Sequence, residues 1–144
     1  MIQYRFLSPT ELPRVVPKLL RWIPDRYRNV GTLNGVTLFE VGILGAIFWL
    51  SDIVVGWRAN VHVVILDRTL LGKATEAARV CVDLMRLYQL HRLEACVPTM
   101  NVLACRYAER VGFALEGVLR KAEIWNNEVT DLAIYALLKE DVHG

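Results

Sequence analysis

The sequence predicts a mixed α/β domain in which helices cover a largely buried sheet. Of the 144 residues, 54% are hydrophobic, and the mean hydropathy is +0.31, values that favour a sheet covered on both faces. Strand-like runs dominate the first half of the chain, whereas the second half reads as a long helix, a strand, a short helix and two strands. We treat residues 1–144 as one domain, because this length supports a single core.

In the first half, alternation and helix-start signals define the elements. The predicted strands cover 2–7, 36–41, 44–50 and 53–67, and the predicted helical pieces cover 10–22 and 24–29. The run from Val41 to Trp57 is almost wholly apolar, but it is shorter than the ~20 residues of a membrane helix. Ser51-Asp52 in its middle predicts a turn between two buried strands, an interpretation that we prefer to a membrane span.

In the second half, apolar residues at spacings of three and four predict a long amphipathic helix over Leu71–Leu90. A strand at 93–97, a helix at 101–111 and strands at 113–124 and 129–138 follow, the last two flanking a turn at Asn126-Asn127.

Composition excludes several classes of function. The net charge of +2 is too small to predict nucleic-acid binding. The three cysteines lack CxxC spacing, and no cluster of histidines and cysteines has metal-ligand spacing, so we expect free thiols and no metal. The N-terminus shows no signal-peptide pattern. We therefore expect a cytoplasmic protein that binds neither membrane nor nucleic acid.

Residues 92–120 carry the most specific pattern, a strand and a helix opened by Asn101, followed by Gly112-Phe113 and a second strand. This order resembles the motif N-x-x-[AS]-x-x-x-x-E-[KR]-x-G-F-x-x-E-G-x-x-R of the GCN5-related N-acetyltransferase (GNAT) superfamily, and most closely its ribosomal-protein and amino-terminal acetyltransferases. The matching residues are Asn101, Ala104, Glu109, Arg110, Gly112, Phe113, Glu116, Gly117 and Arg120. The resemblance implies a mostly antiparallel sheet of about seven strands, flanked by about four helices and splayed between strands four and five.

The resemblance also implies an acetyl-CoA site at the turn before the long helix, where backbone N–H groups hold the pyrophosphate. Gly72 and Ala74 occupy the two small positions of that turn, while Thr69 and Leu70-Leu71 depart from the basic and glycine residues common there. An ordinary helix start with a solvated Lys73 is the alternative. The predicted cofactor-binding residues are Ile65, Leu66, Asp67, Leu71, Gly72, Lys73, Ala74, Thr75, Asn101 and Ala104. For Asn101, helix capping alone is the alternative.

The catalytic groups are harder to assign, because the family's tyrosine and serine positions hold Ala108 and Ala104. His62 is a candidate catalytic or water-positioning residue, since its unperturbed pKa is near neutrality. A structural histidine in an apolar strand is the alternative. Cys105 lies near the expected sulfur position, with a structural thiol as its alternative. Glu40 is a weaker candidate base.

The resulting hypothesis is an N-acetyltransferase that transfers acetyl from acetyl-CoA to a primary amine by direct attack in a ternary complex. The acceptor is a protein N-terminus or a small molecule, and the basic residues of the segment from Arg14 to Arg28 either steer an acidic acceptor or form a solvated helix face. The alternative is a non-catalytic acyl-CoA-binding or protein-interaction module, and the apolar content leaves room for a homodimer. We also expect Glu116, Arg120 and Asp131 to form a cross-strand polar cluster.

Overall fold

The computed structural model describes residues 4–6, 38–41, 46–65 and 67–142. Its strands are β1 (Tyr4–Phe6), β2 (Leu38–Val41), β3 (Ala46–Val54), β4 (Arg58–Ile65), β5 (Arg92–Pro98), β6 (Ala114–Trp125) and β7 (Glu128–Leu138). Its helices are α1 (Ala74–Leu87) and α2 (Val102–Val111), with short 3-10 helices at Arg68–Gly72 and Lys139–Val142. The helical pieces predicted at 10–22 and 24–29 lie outside the described residues.

The seven strands form one sheet in the order β1-β2-β3-β4-β5-β7-β6. Every neighbouring pair is antiparallel except β4 and β5, which are parallel. The mixed, mostly antiparallel sheet is therefore confirmed. The tight connection between β6 and β7 is also confirmed, because Asn126 and Asn127 both have positive φ, as a two-residue hairpin turn requires.

The parallel pair separates soon after it begins. β4 and β5 pair only through Arg58–Asn60 and Arg92–Glu94, although β4 continues to Ile65 and β5 to Pro98. Each strand keeps its other neighbour over the remaining length, β3 for β4 and β7 for β5. The sheet thus opens into a V between β4 and β5, which confirms the predicted splay. We call this opening the cleft.

The predicted position of the turn between β3 and β4 was wrong. Ser51-Asp52 is not a turn: β3 continues to Val54 through an irregularity in which Asp52 has φ 51°, and the turn lies at residues 55–57. Asp is one of the residues that tolerate this left-handed conformation, and Gly56 (φ 82°) makes the real turn.

Within the described residues, no helix is long and apolar enough to cross a bilayer.

The long helix also begins later than predicted. Arg68–Gly72 forms a 3-10 helix, and the α-helix runs only over Ala74–Leu87. On the predicted apolar face, Ala77, Cys81 and Leu84 are buried, whereas Leu87, which was assigned to the same face, is exposed because it lies in the last turn of the helix.

Both α-helices pack on one face of the sheet, which we call the helix face. Its core includes Phe48 and Leu50 of β3, Val61 of β4, Leu93 of β5 and Tyr135 of β7. Because side chains alternate along a strand, the residues between these point to the other side, which we call the opposite face. Trp49, His62 and Glu94 lie on it.

Gly112 ends α2 in a conformation that favours glycine. Its φ is 119°, and its N–H bonds to the carbonyls of Ala108 and Glu109, closing the last turn. The glycine of the G-F motif is thus explained by the fold itself.

Gly112→Ala should lower the free energy of unfolding by about 1–2 kcal/mol, because an L-residue is strained at this φ. Gly117→Ala is the matched control, since Gly117 has no positive φ and no atom within 4 Å of an added Cβ. Urea denaturation of the two variants measures the difference. Equal stability of the two would show that the αL conformation imposes no such constraint.

Candidate functional site

The cleft brings together the elements that the sequence singled out. α1 follows the C-terminal end of β4 and α2 follows that of β5, so both helices begin at the open end of the V. In parallel arrangements, ligands bind beyond the carboxyl ends of the strands, where connections diverge. Of the predicted cofactor residues, Ile65 is half-buried at the end of β4, and Leu66 lies outside the described residues.

The segment that leads into α1 is organised by Asp67. Its carboxylate accepts hydrogen bonds from the Thr69 N–H (3.0 Å) and hydroxyl (2.7 Å), and these bonds lower the pKa of Asp67. Asp67 is therefore an ionised cap of the 3-10 helix that contains the backbone of Leu71. This is a structural task that the prediction of a cofactor-binding residue had missed.

The N-terminus of α1 carries no side-chain cap. Lys73 is the N-cap residue and makes no side-chain capping bond, although its carbonyl accepts the N–H groups of Glu76 and Ala77. Lys73 and Thr75 are exposed and Ala74 is half-buried. An uncapped first turn presents N–H donors and the positive end of the helix dipole, a combination that suits an anion.

Nothing within the described fold requires a glycine at position 72. Gly72 has no positive φ, and a Cβ built there meets no atom within 4 Å. A ligand that approaches the backbone closely would require a small residue at this position.

The start of α2 differs, because it is capped. Asn101 accepts a hydrogen bond from the Ala104 N–H through Oδ1 at 3.3 Å, so the capping interpretation is confirmed. Ala104 is half-buried at the first turn. Contact of either residue with a coenzyme stays a prediction.

His62 lies on the opposite face beside the cleft, in a polar group. Its Nε2 is 2.7 Å from the Ser51 hydroxyl, and its ring stacks on Trp49 with centroids 5.0 Å apart and planes 17° from parallel. Next to it, the Asn60 amide donates to Asp52 at 2.9 Å. This bond links β4 to the irregular part of β3, where Asp52 has φ 51°.

Burial lowers the pKa of His62 to about 4, although the charge of Asp52 opposes this shift. The imidazole is therefore neutral at physiological pH. The reason for selecting His62 from the sequence, a pKa near neutrality, does not hold in the folded protein. Glu40, the weaker candidate base, lies on β2, and its side chain is outside the described residues.

Cys105 lies on α2 near the C-terminal end of β5. It is half-buried, and its thiol donates to the Pro98 carbonyl at 3.7 Å. Tyr107, one position from the family's tyrosine, packs against the core as expected, and burial raises its pKa to about 12. Tyr135 is buried and donates to Glu109 at 3.2 Å.

The predicted cluster of Glu116, Arg120 and Asp131 was wrong. Glu116 pairs with Arg92 at 2.8 Å, and Arg92 also bonds Glu94 at 3.0 Å. Asp131 instead accepts the backbone N–H of Lys121 at 2.8 Å. The two pairing irregularities of β6 and the positive φ of Lys121 break the alternation on which the prediction relied.

A shallow groove of about 560 Å³ runs along α1 from Thr75 to Arg86 and ends against Gly112 and Val142. It meets the predicted cofactor turn only at Thr75. We do not take it as the active site, because it follows the flank of one helix and does not enter the cleft.

Sequence analysis did not single out Ser51, Trp49 or Arg92, which the structure places on the opposite face with His62 and Glu94. Ser51 was assigned to a turn, and Trp49 only to a buried strand. The register that sets Trp49 opposite His62 and Ser51 opposite Asn60 joins residues that periodicity alone does not connect.

Comparisons with known proteins support the same architecture, although no family model matches the chain. The chain is 35% identical over 117 residues to a probable N-acetyltransferase, YjcK, of Bacillus subtilis. That match takes in 79% of the chain and 57% of the relative, so the chain spans little more than half of YjcK.

Solved structures are similar over nearly the whole chain. A spermidine N-acetyltransferase SpeG chimera from Vibrio cholerae and hSSAT has a TM-score of 0.76, with 18% identity and 99% of both chains covered. RimL, a ribosomal L7/L12 alpha-N-protein acetyltransferase in complex with coenzyme A, has a TM-score of 0.71, with 16% identity over 95% of this chain and 93% of that one. The chain has the fold of the GCN5-related N-acetyltransferase superfamily. The resemblance seen in residues 92–120 is thereby confirmed.

Within this GNAT fold, the neutral His62 gives stability a specific pH dependence. The unfolded chain protonates histidine near pH ~6.5, whereas folded His62 resists protonation until about pH 4. The unfolded state therefore binds more protons in this window, and stability falls as the pH is lowered through it.

We expect wild type to lose up to about 3 kcal/mol more than His62→Gln between pH 7 and pH 4. Urea denaturation of both proteins at several pH values measures this difference, and carboxylates common to both cancel. Parallel pH profiles would mean that His62 titrates normally in the folded state.

Proposed function

We propose that this chain is an acetyl-CoA-dependent N-acetyltransferase that acetylates a primary amine. The observation that carries the proposal is the coincidence of the cleft with the uncapped N-terminus of α1 and the unexplained Gly72. Residues 72–75 would hold the pyrophosphate through their backbone N–H groups, with Lys73 adding a point charge. The free edge of β4 beyond Asn60 offers backbone groups to the pantetheine arm, as an added strand would use them.

This arrangement explains how rate is gained without a strong base. An arm seated in the cleft brings its thioester to the last paired residues of β4 and β5, Asn60 and Glu94. Holding acceptor and thioester together supplies much of the acceleration. An α-amine, with a pKa near ~7.7–8.0, loses its proton more readily than a lysine near ~10.4. Cys105 is our candidate donor to the departing thiolate.

The charges on the opposite face bear on the acceptor. Arg92 is paired with two carboxylates, Glu94 and Glu116, so this group is net negative and suits an acceptor in its ammonium form. The names of the similar proteins include both a protein N-terminus and spermidine as acceptors. The acidic acceptor predicted from the segment between Arg14 and Arg28 stays a prediction, since that segment lies outside the described residues.

A homodimer also stays a prediction, and the edge strand β6 supports it. Leu115, Leu119 and Ile124 each expose more than half of their surface there. Exposed apolar side chains grouped in this way are typical of contact surfaces. Light scattering of the purified protein would decide between monomer and dimer.

The first test is isothermal titration of acetyl-CoA into the coenzyme-free protein. We expect saturable binding in wild type and a loss of at least about tenfold in affinity for Gly72→Glu, whose carboxylate would repel the phosphates. Gly72→Ala should weaken binding less, because it adds only a methyl group.

Both variants should keep the wild-type melting temperature, since a Cβ at position 72 meets nothing within 4 Å. A folded wild-type protein that binds no acetyl-CoA at millimolar concentration would refute the proposal.

The second test is turnover, followed by release of the coenzyme A thiol. Spermidine and a short peptide with a free α-amine serve as acceptor probes, and the same peptide with a blocked N-terminus is the control. Thiol release that requires the free amine supports the transferase. Binding of acetyl-CoA without turnover of any amine would favour the non-catalytic acyl-CoA-binding module, which the alanines at positions 104 and 108 make a real alternative.

A further inference from the structure

His62 occupies a particular place relative to the cleft. The last paired rung of β4 and β5 is Asn60 opposite Glu94, so β4 has no β5 partner from Val61 onward. Val61 points to the helix face. His62 is therefore the first residue beyond the last paired rung whose side chain lies on the opposite face. An acyl group delivered to the apex of the cleft would arrive next to it.

The imidazole ring is held by two different contacts. The Ser51 hydroxyl lies 2.7 Å from Nε2, and Trp49 stacks against the ring face, 5.0 Å between centroids. The hydrogen bond fixes the rotation of the ring in its plane, and the stack fixes the plane itself. A donor held by its neighbours needs little reorganisation during a reaction.

The described residues make no hydrogen bond to the other ring nitrogen. Within the described residues, no hydrogen bond reaches Nδ1 of His62, and no fully buried side-chain nitrogen or oxygen lacks a partner. Nδ1 is thus the nitrogen of this half-buried ring that the described residues leave for a ligand.

We propose that His62 is a neutral hydrogen-bond donor that polarises the carbonyl of the bound acyl thioester, with Ser51 setting its tautomer. An imidazole nitrogen is much more basic than a hydroxyl oxygen, so the Ser51 proton points at Nε2 and the ring proton resides on Nδ1. A preorganised neutral imidazole can stabilise a developing oxyanion without itself transferring a proton. This role rests on the proposed acetyl transfer.

Acetyl transfer in this scheme needs no proton on Nε2 of His62. The amine nitrogen attacks the carbonyl carbon, and the carbonyl electrons move to the oxygen, which accepts the Nδ1–H bond. When the carbonyl re-forms, the C–S bond breaks, the thiolate takes the proton of Cys105, and the proton released from the nitrogen restores the Cys105 thiol. His62 ends the cycle in its starting protonation state. It is a catalytic residue in this scheme, and Ser51 is a positioning residue.

The tautomer is measured directly by long-range ¹H–¹⁵N NMR of ¹⁵N-labelled full-length protein, assigned with His62→Gln. We expect the pattern of an Nδ1–H neutral imidazole at pH 7. Adding acetyl-CoA should shift the Nδ1 resonance more than adding CoA, which lacks the carbonyl. An Nε2–H tautomer, or equal shifts with the two ligands, would overturn the proposal.

Variants supply the kinetic arm, with the peptide or spermidine as acceptor. His62→Gln keeps an N–H donor and should retain most of kcat, whereas His62→Leu should lose about 10²-fold or more in kcat. Ser51→Ala should lower kcat and abolish the fixed tautomer, and Ser51→Thr should restore both. The KM for acetyl-CoA should change little in any of them. Equal losses in the Gln and Leu variants would contradict a donor role.

The two proposals fail differently. If acetyl-CoA does not bind, titration of wild type shows it and the proposed function falls. If acetyl-CoA binds and turns over while His62 carries its proton on Nε2, only the donor role is lost. Circular dichroism melts of all four variants exclude misfolding as the cause of a kinetic change.

Discussion

The three rungs of parallel pairing between β4 and β5 are the constraint on which the site depends. Were the pairing to continue to Ile65 and Pro98, the cleft would close and both helices would begin above a continuous sheet. Because pairing stops at Asn60 and Glu94, the backbone of β4 beyond Asn60 has hydrogen-bonding groups that β5 does not pair. Such groups carry a cost unless something pairs with them, and an extended ligand arm is well suited to do so.

The two helices that begin at this cleft differ in how their first turns are capped. Asn101 satisfies the first turn of α2 from within the chain, so that helix is complete by itself. The first turn of α1 has no side-chain cap and is preceded by a glycine that nothing among the described residues requires. The first turn of α2 is thus capped by the chain itself, whereas the first turn of α1 has backbone N–H donors available to a ligand. On the opposite face, the regular register of β3 and β4 sets Ser51 beside His62 and makes a polar group from residues of two strands.

Sequence reasoning succeeded where the signal was local. Asn101 caps the start of α2, and Gly112 ends that helix in the αL conformation; each residue type favours its role. Asn126-Asn127 makes the hairpin turn. Sequence reasoning failed where the structure depends on the register in which strands pair. Ser51-Asp52 resembled a turn because a bulge and a turn attract the same residues, and Gly56 in the next segment was overlooked. The contact between Ser51 and His62 depends on register, which the alternation of apolar residues leaves undetermined. The partner of Glu116 was misjudged for the same reason, since two irregularities in β6 shift its side chains. The pKa of His62 depends on burial beside Trp49, which no spacing rule reveals.

The bond from the Lys121 N–H to Asp131 has a consequence for how molecules of this protein meet. β6 is a long outer strand rich in exposed apolar residues, which is the profile of a segment that recruits strands from other chains into fibrous aggregates. Its ladder is interrupted twice, and at Lys121 the backbone turns to φ 53° while its donor is already occupied. An incoming strand therefore finds only short stretches to pair with. Lasting association along β6 must therefore come from the packing of side chains and not from extension of the sheet. This edge can form apolar contacts with another molecule without adding a strand from it.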